Sequence, residues 1–148
     1  METKSEYIIL NLDLPKNFST TAQQKGEGIR GDRIIHYEKA KVTELREEYE
    51  IAIRKAMRLQ KMTAPRLKGP VEMEVIYYYG TNDKKKLKQF YKDTKPDEDN
   101  INKLLQDVLA DFHFFDKGDG QVARLIFTKC WDHKPHIYIK MKELRAKV

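Results

Sequence analysis

Cysteine is scarce in this sequence and long apolar runs are missing, and both absences narrow the class of protein. Cys130 is the one cysteine among 148 residues, so no disulfide can form within the chain, which fits a reducing cytoplasm. No stretch approaches the ~20 apolar residues that a membrane-spanning helix needs. The charged first residues lead into only a short apolar run, unlike a signal peptide. We expect a soluble cytoplasmic protein that makes no membrane contact.

The sequence also lacks the ligand spacing of a zinc site, since its four histidines show no pattern such as HExxH. Charge, in contrast, is plentiful and unbalanced. The 29 Lys and Arg residues outnumber the 23 Asp and Glu residues, which gives a net charge of +6. Such a basic chain favours nucleic acid or an anionic membrane surface as a partner, although many basic proteins bind neither.

The length of 148 residues predicts a single domain, residues 1–148, that is large enough to bury its own core. Period-two patterns predict strands at 7–14, 71–79, 121–131 and 136–142, and apolar stripes at helical spacing predict helices at 38–60 and 100–111. This order favours an α+β fold with a mixed, mostly antiparallel sheet and two helices packed on it. The last two strands are expected to form a hairpin.

A long loop is expected at 16–32, where glycine, serine, threonine and glutamine are frequent. Its basic side chains, Lys25, Arg30 and Arg33, would allow contact with a polyanion, although a solvated loop is the simpler interpretation.

A second basic stretch follows the second strand. Six lysines lie between residues 83 and 95, namely Lys84, Lys85, Lys86, Lys88, Lys92 and Lys95. They can neutralise backbone phosphates in binding that weakens steeply with salt. The adjacent Phe90 and Tyr91 offer rings for stacking on bases. The alternative is a solvated, partly helical connector.

The acidic stretch Lys95–Asn100 opens the second helix, and Asp97 and Asp99 would by themselves be helix caps. Because this helix packs on the sheet and the strand after Asp119 returns beside it, we expect all three carboxylates to converge near the helix start. Oxygen ligands without a cysteine or histidine cluster favour Mg²⁺, with Mn²⁺ as a possible substitute.

Two further residues follow Asp99 at helical spacing. Lys103 can orient the carboxylates or stabilise charge that develops on a phosphate, although it can equally be an ordinary i,i+4 ion pair. Asp107 is either an anchor for Lys103 or a plain surface residue.

These residues resemble the RusA-type Holliday junction resolvases, which are small endodeoxyribonucleases common in prophages. The resemblance rests on Pro96-Asp97-Glu98-Asp99-Asn100, then Lys103, and on Asp119-Gly120-Gln121-Val122, within residues 95–122. One departure is that the family often has two adjacent acids before the glutamine, whereas Gly118 precedes Asp119 here. Asp116 is therefore an alternative third ligand.

The resemblance implies a homodimer that binds a four-way DNA junction and nicks two strands of like polarity with Mg²⁺. It further implies Asp97, Asp99 and Asp119 as metal ligands and catalytic residues, and Lys103 as an essential basic residue of the catalytic site. Such an enzyme would serve DNA recombination and repair. Two other functions stay open: a non-catalytic protein that binds branched or single-stranded DNA, and a structural or partner-binding phage protein.

Overall fold

The architecture is a four-stranded sheet with helices packed on it. The computed structural model describes residues 7–17, 31–94 and 98–145, and of residues 31–41, Glu98 and Asp99 only the main chain. The strands are β1 (Ile8–Asp13), β2 (Val71–Gly80), β3 (Val122–Asp132) and β4 (His136–Glu143). The helices are α1 (Gly31–Gln60), α2 (Lys84–Gln89) and α3 (Glu98–Asp111), followed by a 3₁₀ turn at Asp119–Gln121. Among the described residues, no helix is long and apolar enough to cross a membrane.

The strand order is β1-β4-β2-β3, and it confirms the expected mixed α+β fold. Strand β4 runs antiparallel to both of its neighbours, β1 and β2, whereas β2 and β3 are parallel. Parallel neighbours need a long crossover connection. Helix α3 lies in the connection between β2 and β3, so this βαβ unit carries the acidic stretch across the sheet.

The expected hairpin between the last two strands is wrong. Strands β3 and β4 lie on opposite sides of β2, and the short connection between them crosses the end of β2. The crossing is close: a Cβ atom on Gly80 would lie 2.9 Å from Pro135 Cδ. Thr81 N also donates to Asp132 O at 2.8 Å. A short turn usually joins paired strands, but here β2 already occupies the place between them.

The core lies between the helices and one face of the sheet. Alternate residues of β2 are buried, as their pattern predicts: Val71, Met73, Val75, Tyr77 and Tyr79. The apolar stripe of α3 is also buried and consists of Ile101, Leu104, Leu105, Val108 and Leu109. The other residues of β2 are half-exposed, so this sheet is amphipathic, with one face on the core.

Helix α1 begins at Gly31, seven residues before the expected start at residue 38, and it includes residues 31 and 32 of the predicted loop. Residues 18–30, with Lys25 and Arg30, lie outside the described part of the chain, and Arg33 is in the helix. Helix α2 forms within the basic stretch, where Asp83 caps it by accepting from Lys85 N at 2.9 Å. Lysine is a good helix former, so a capped lysine run gains helical structure.

A β-bulge near the start of β3 changes the face of the sheet to which its side chains point. Val122 pairs with Val71, but Arg124 pairs with Glu72, so Ala123 is an extra residue. The bulge places Val122 on the core side, whereas strict alternation predicted that Val122 and Arg124 share a face. An inserted residue of this kind leaves no mark in a period-two pattern.

Candidate functional site

Asp119 lies in the 3₁₀ turn that leads from α3 into β3, and Gln121 fixes this turn. The Gln121 Nε2 group donates to Leu67 O at 2.8 Å and to Gly69 O at 2.9 Å. Its Oε1 atom accepts from the main-chain N–H of Lys117. Both ends of the amide are therefore used, and the turn that carries Asp119 is tied to the loop before β2.

Main-chain hydrogen bonds reinforce the same turn. Leu67 N donates to Phe114 O at 2.9 Å, and Asp116 N donates to Leu67 O at 2.9 Å. Phe114 and Phe115 are buried beneath this ladder. Asp116, the alternative ligand, is exposed, so its carboxylate is held less firmly than the half-buried Asp119.

The carboxylate of Asp119 lies beside that of Asp107 on α3. Partial burial, the hydrogen bond with Asp119 and the negative charge of Asp119 raise the pKa of Asp107, in that order. Two carboxylates that face each other in a partly buried place favour a shared proton or a bound cation. Among the candidate site aspartates, Asp107 and Asp119 are the pair whose contact lies in the described part of the chain.

Two cations act on Asp107 in the opposite direction. Arg46 and Lys103 lower its pKa through their charges, although burial and Asp119 outweigh them. Arg46 is also bound to the end of the same helix, with its Nη1 atom 3.0 Å from Asp111 Oδ2. Lys103 thus interacts electrostatically with Asp107, and the role of Asp107 as its anchor stays a prediction.

The acidic stretch itself is only partly described. Lys95, Pro96 and Asp97 lie outside the described residues, and Asp99 is seen only as main chain in the first turn of α3. At 1.5 Å per residue, the Cα atoms of Asp99 and Asp107 are about 12 Å apart along the helix. The contact of Asp119 that the structure describes is with Asp107, in the second half of α3, and its distance from the carboxylates of Asp97 and Asp99 lies outside the described part of the chain.

A cluster of three metal-binding side chains is not seen in the described part of the chain, that is, among the His, Cys, Asp and Glu side chains of residues 7–17, 42–94 and 100–145. The convergence of Asp97, Asp99 and Asp119 stays a prediction.

Two buried tyrosines hold the first turn of α3 in place through hydrogen bonds. The sequence patterns did not indicate this role for them. Tyr77 OH donates to Asn102 Oδ1 at 2.8 Å, and Asn102 is only 4% exposed. Tyr49 OH donates to Ile101 O at 3.3 Å. The start of the helix after Asp99 is consequently fixed to both α1 and β2.

The lysines of the basic stretch fall into two groups. The four on α2, Lys84, Lys85, Lys86 and Lys88, are exposed, as a phosphate-binding surface requires. Lys92 is 8% exposed, and its Nζ atom lies 4.9 Å and 4.8 Å from the ring centres of Tyr79 and Trp131. Burial and the charges of Lys129 and Lys86 lower the pKa of Lys92 to about 8.

Lys129 is a further residue near the acidic stretch that the patterns missed. Its Nζ atom donates to Thr94 O at 2.7 Å. A signal was present, because Lys129 falls on the same face of β3 as Phe127 and Trp131, which contact the buried tyrosines. A lysine in register with core residues needs a specific partner.

Comparison with known proteins decides the family. The model of the family described as endodeoxyribonuclease RusA matches residues 18–142. The chain belongs to the RusA family. The crossover junction endodeoxyribonuclease rusA of Lactococcus phage r1t is 32% identical to it over 75 residues, which is 51% of this chain and 56% of the phage protein. The chain thus spans about half the length of this curated relative.

The residues of this RusA-family chain suit a hard divalent cation in their chemistry. Asp107 and Asp119 bring carboxylate oxygens together, and burial, followed by the hydrogen bond with Asp119 and its charge, raises the pKa of Asp107. Oxygen-only sites of this kind prefer Mg²⁺ or Mn²⁺. The ligand set expected from the sequence and the observed pair share Asp119.

Proposed function

We propose that this RusA-family protein is a structure-selective endodeoxyribonuclease that resolves four-way DNA junctions by paired, symmetric nicks with Mg²⁺, in DNA recombination and repair. The main support from the structure is the Asp119 turn, held by Gln121 and facing Asp107 on α3. Family membership over residues 18–142 gives this acidic pair its context. Mn²⁺ is expected to substitute for Mg²⁺.

In this proposal, Asp97, Asp99 and Asp119 hold the metal ion. A bound Mg²⁺ would polarise the phosphate, lower the pKa of an attacking water and stabilise the leaving oxygen. The carboxylates must be ionised for this purpose, and the N-terminus of α3 favours the ionised form of Asp99 through the helix dipole.

The chain supplies the remaining groups itself. Lys103, one turn beyond Asp99 on α3, is the catalytic cation that orients the carboxylates and stabilises negative charge on the phosphate. Asp107 interacts electrostatically with Lys103 and hydrogen-bonds with Asp119. It therefore holds both residues in place.

The exposed lysines of α2, together with Lys95, are proposed to contact the DNA backbone. Their charges would draw the junction toward the end of the sheet where β2 ends and α2 begins. A homodimer is proposed because a two-fold dimer presents two equal sites to a two-fold junction, so that one nick can be made by each protomer.

The proposal is tested with purified protein and a synthetic four-way junction, with and without Mg²⁺. We expect symmetric nicks that require the metal. Asp97→Asn and Asp119→Asn should each reduce cutting more than about 100-fold, beyond the loss usual for groups that only orient a ligand. Junction binding, followed by gel shift, should persist in both variants.

Asp116→Asn is the matched control for Asp119, because both aspartates lie in the same connection but Asp116 is exposed. It should cut at nearly the wild-type rate. Equal cutting by Asp97→Asn and wild type would refute the ligand assignment. Salt-sensitive junction binding without any metal-dependent product would instead establish the non-catalytic DNA-binding function.

A further inference from the structure

Two lysines from separate elements converge on one main-chain carbonyl just before the acidic stretch. Lys129 Nζ on β3 donates to Thr94 O at 2.7 Å. Lys92 Nζ donates to the same oxygen at 3.3 Å and to Thr94 Oγ1 at 2.6 Å. Hydrogen bonds from a charged donor are stronger than neutral ones, so Thr94 is a well-fixed point of the chain.

The segment that leads to Thr94 is itself attached to β3. Lys92 N donates to Lys129 O at 2.9 Å, and Trp131 N donates to Phe90 O at 2.7 Å. Tyr91 forms an isolated antiparallel bridge with Cys130 between these bonds. The main chain from Phe90 to Lys92 therefore runs along the last residues of β3 as a short added strand.

The Lys92 side chain turns inward from this added strand. Lys92 is 8% exposed and lies against the rings of Tyr79 and Trp131, with centroid distances of 4.9 Å and 4.8 Å. A lysine is almost never buried to this degree unless it has specific partners. A phosphate of DNA cannot reach such an ammonium group without displacing the Thr94 contacts.

On the far side of the acidic stretch, the first turn of α3 is fixed as well. Tyr77 OH donates to Asn102 Oδ1 at 2.8 Å, and Tyr49 OH donates to Ile101 O at 3.3 Å. Three residues separate Thr94 from Glu98, the first residue of α3. Four residue steps cover at most about 14 Å, so Thr94 and the start of α3 cannot lie farther apart than this distance.

We propose that Lys129 and Lys92 are positioning residues of the acidic stretch, which fix Thr94 so that Asp97 and Asp99 are presented together at the metal. The inference rests on the proposed function, because it assigns these lysines to the same metal site. It also removes Lys92 from the set of DNA contacts. Lys129 and Lys92 act through the main chain and touch neither the metal nor the DNA.

The first test is Lys129→Met, which keeps the apolar stem of the side chain and removes the donor to Thr94. Junction cleavage by this variant should show a kcat about 10- to 100-fold lower, the range usual when a group that orients a metal ligand is lost. KM, junction affinity and its salt dependence should match the wild type. Lys129→Arg retains a charged donor and should recover part of the kcat.

A second measurement does not depend on cleavage. Mn²⁺ binding to the protein without DNA, followed by the electron paramagnetic resonance signal of the free ion, should weaken about 10- to 100-fold in Lys129→Met. Lys92→Met should have the same effect while preserving the fold, since methionine fills the space of the lysine stem. Lys140→Met is the control, because Lys140 is a strand lysine on the opposite face, over the ring of Tyr7.

Two results would overturn the proposal. If Lys129→Met lowers junction affinity and the salt dependence while kcat stays unchanged, the lysine contacts DNA. If its kcat and Mn²⁺ affinity equal those of the wild type and of Lys140→Met, Thr94 needs no such support. Failure of the proposed function is distinct: wild-type protein would then leave the junction uncut in Mg²⁺, whatever the variants bind.

Discussion

Gln121 shows how much the meaning of a single residue depends on its surroundings. In the sequence it is one letter of a short pattern, two places after Asp119. In the fold its amide donates two hydrogen bonds to the loop before β2 and accepts one from Lys117 N. An amide has both donors and an acceptor, which explains why a carboxylate of the same shape could not replace it.

Lys92 provides a prediction at the residue scale. Its pKa in the folded protein is about 8, below the ordinary value near ~10.4 of an unfolded chain. Between these two values the unfolded state binds more protons, so this group makes the folded state more stable as pH rises. The free energy of unfolding of wild type relative to Lys92→Met should therefore increase from pH 8 to pH 10.

Urea denaturation at several pH values measures this difference, and ¹³C NMR of the lysine Cε atoms reports the titration directly. One lysine signal should have its midpoint near pH 8 and be lost in Lys92→Met. If every lysine titrates above pH 10, the ammonium group of Lys92 is not desolvated in solution.

At the scale of elements, the connection between β3 and β4 is the least expected feature. Its closeness to β2 explains why the last residue of β2 is a glycine. In Gly80→Ala the new methyl group would meet Pro135 Cδ at 2.9 Å and Pro135 N at 3.1 Å. Overpacking against a rigid ring costs about 1–3 kcal/mol, so we expect the free energy of unfolding to fall by that amount.

Gly69→Ala is the matched control for Gly80→Ala, since a Cβ atom there meets nothing within 4 Å. Its free energy of unfolding, measured with urea, should stay within about 0.5 kcal/mol of wild type. Similar losses in both variants would mean that the connection does not cross β2 as closely as described.

The sequence of helix α3 predicts the helix and its buried face but not all of its contacts. The spacing of Ile101, Leu104, Leu105, Val108 and Leu109 predicts the helix and its buried face. This spacing does not predict which turn of α3 contacts Asp119, because the contact depends on the path of the residues between the end of the helix and Asp119. The main-chain hydrogen bonds of Leu67 with Phe114 and Asp116 set this path, so that Asp119 contacts Asp107.

At the scale of the whole molecule, the distribution of positive charge matters more than its sum. Four exposed lysines are concentrated on the short helix α2, which precedes the acidic stretch by a few residues in the sequence. If each of Lys84, Lys85 and Lys88 neutralises one duplex phosphate, changing all three to alanine should reduce the slope of log affinity against log salt by about 3. Fluorescence anisotropy with a labelled junction measures this slope.

The control variant combines Lys140→Ala and Lys142→Ala. These two lysines lie on β4, over the ring of Tyr7. Their loss should leave the salt slope close to that of wild type. An equal reduction in both variants would show that α2 is not a preferred DNA contact and that the charge acts diffusely.

The sequence by itself determined the elements with strong periodicity, the α+β class and the residues of the acidic stretch. These features depend on local patterns and on residue types, which a single chain displays directly. Asp97, Asp99, Lys103 and Asp119 also indicated the RusA family. The match of the family model over residues 18–142 confirmed this family assignment.

The tertiary structure alone decided how distant segments meet. The place of β2 between β3 and β4, the contact of Asp119 with Asp107, and the convergence of Lys92 and Lys129 on Thr94 all join residues far apart in sequence. Such contacts depend on the packing of the whole core, which periodicity does not encode. They also show that lysines near one another in a basic stretch have different surroundings, since α2 exposes its lysines and the end of β3 buries Lys92.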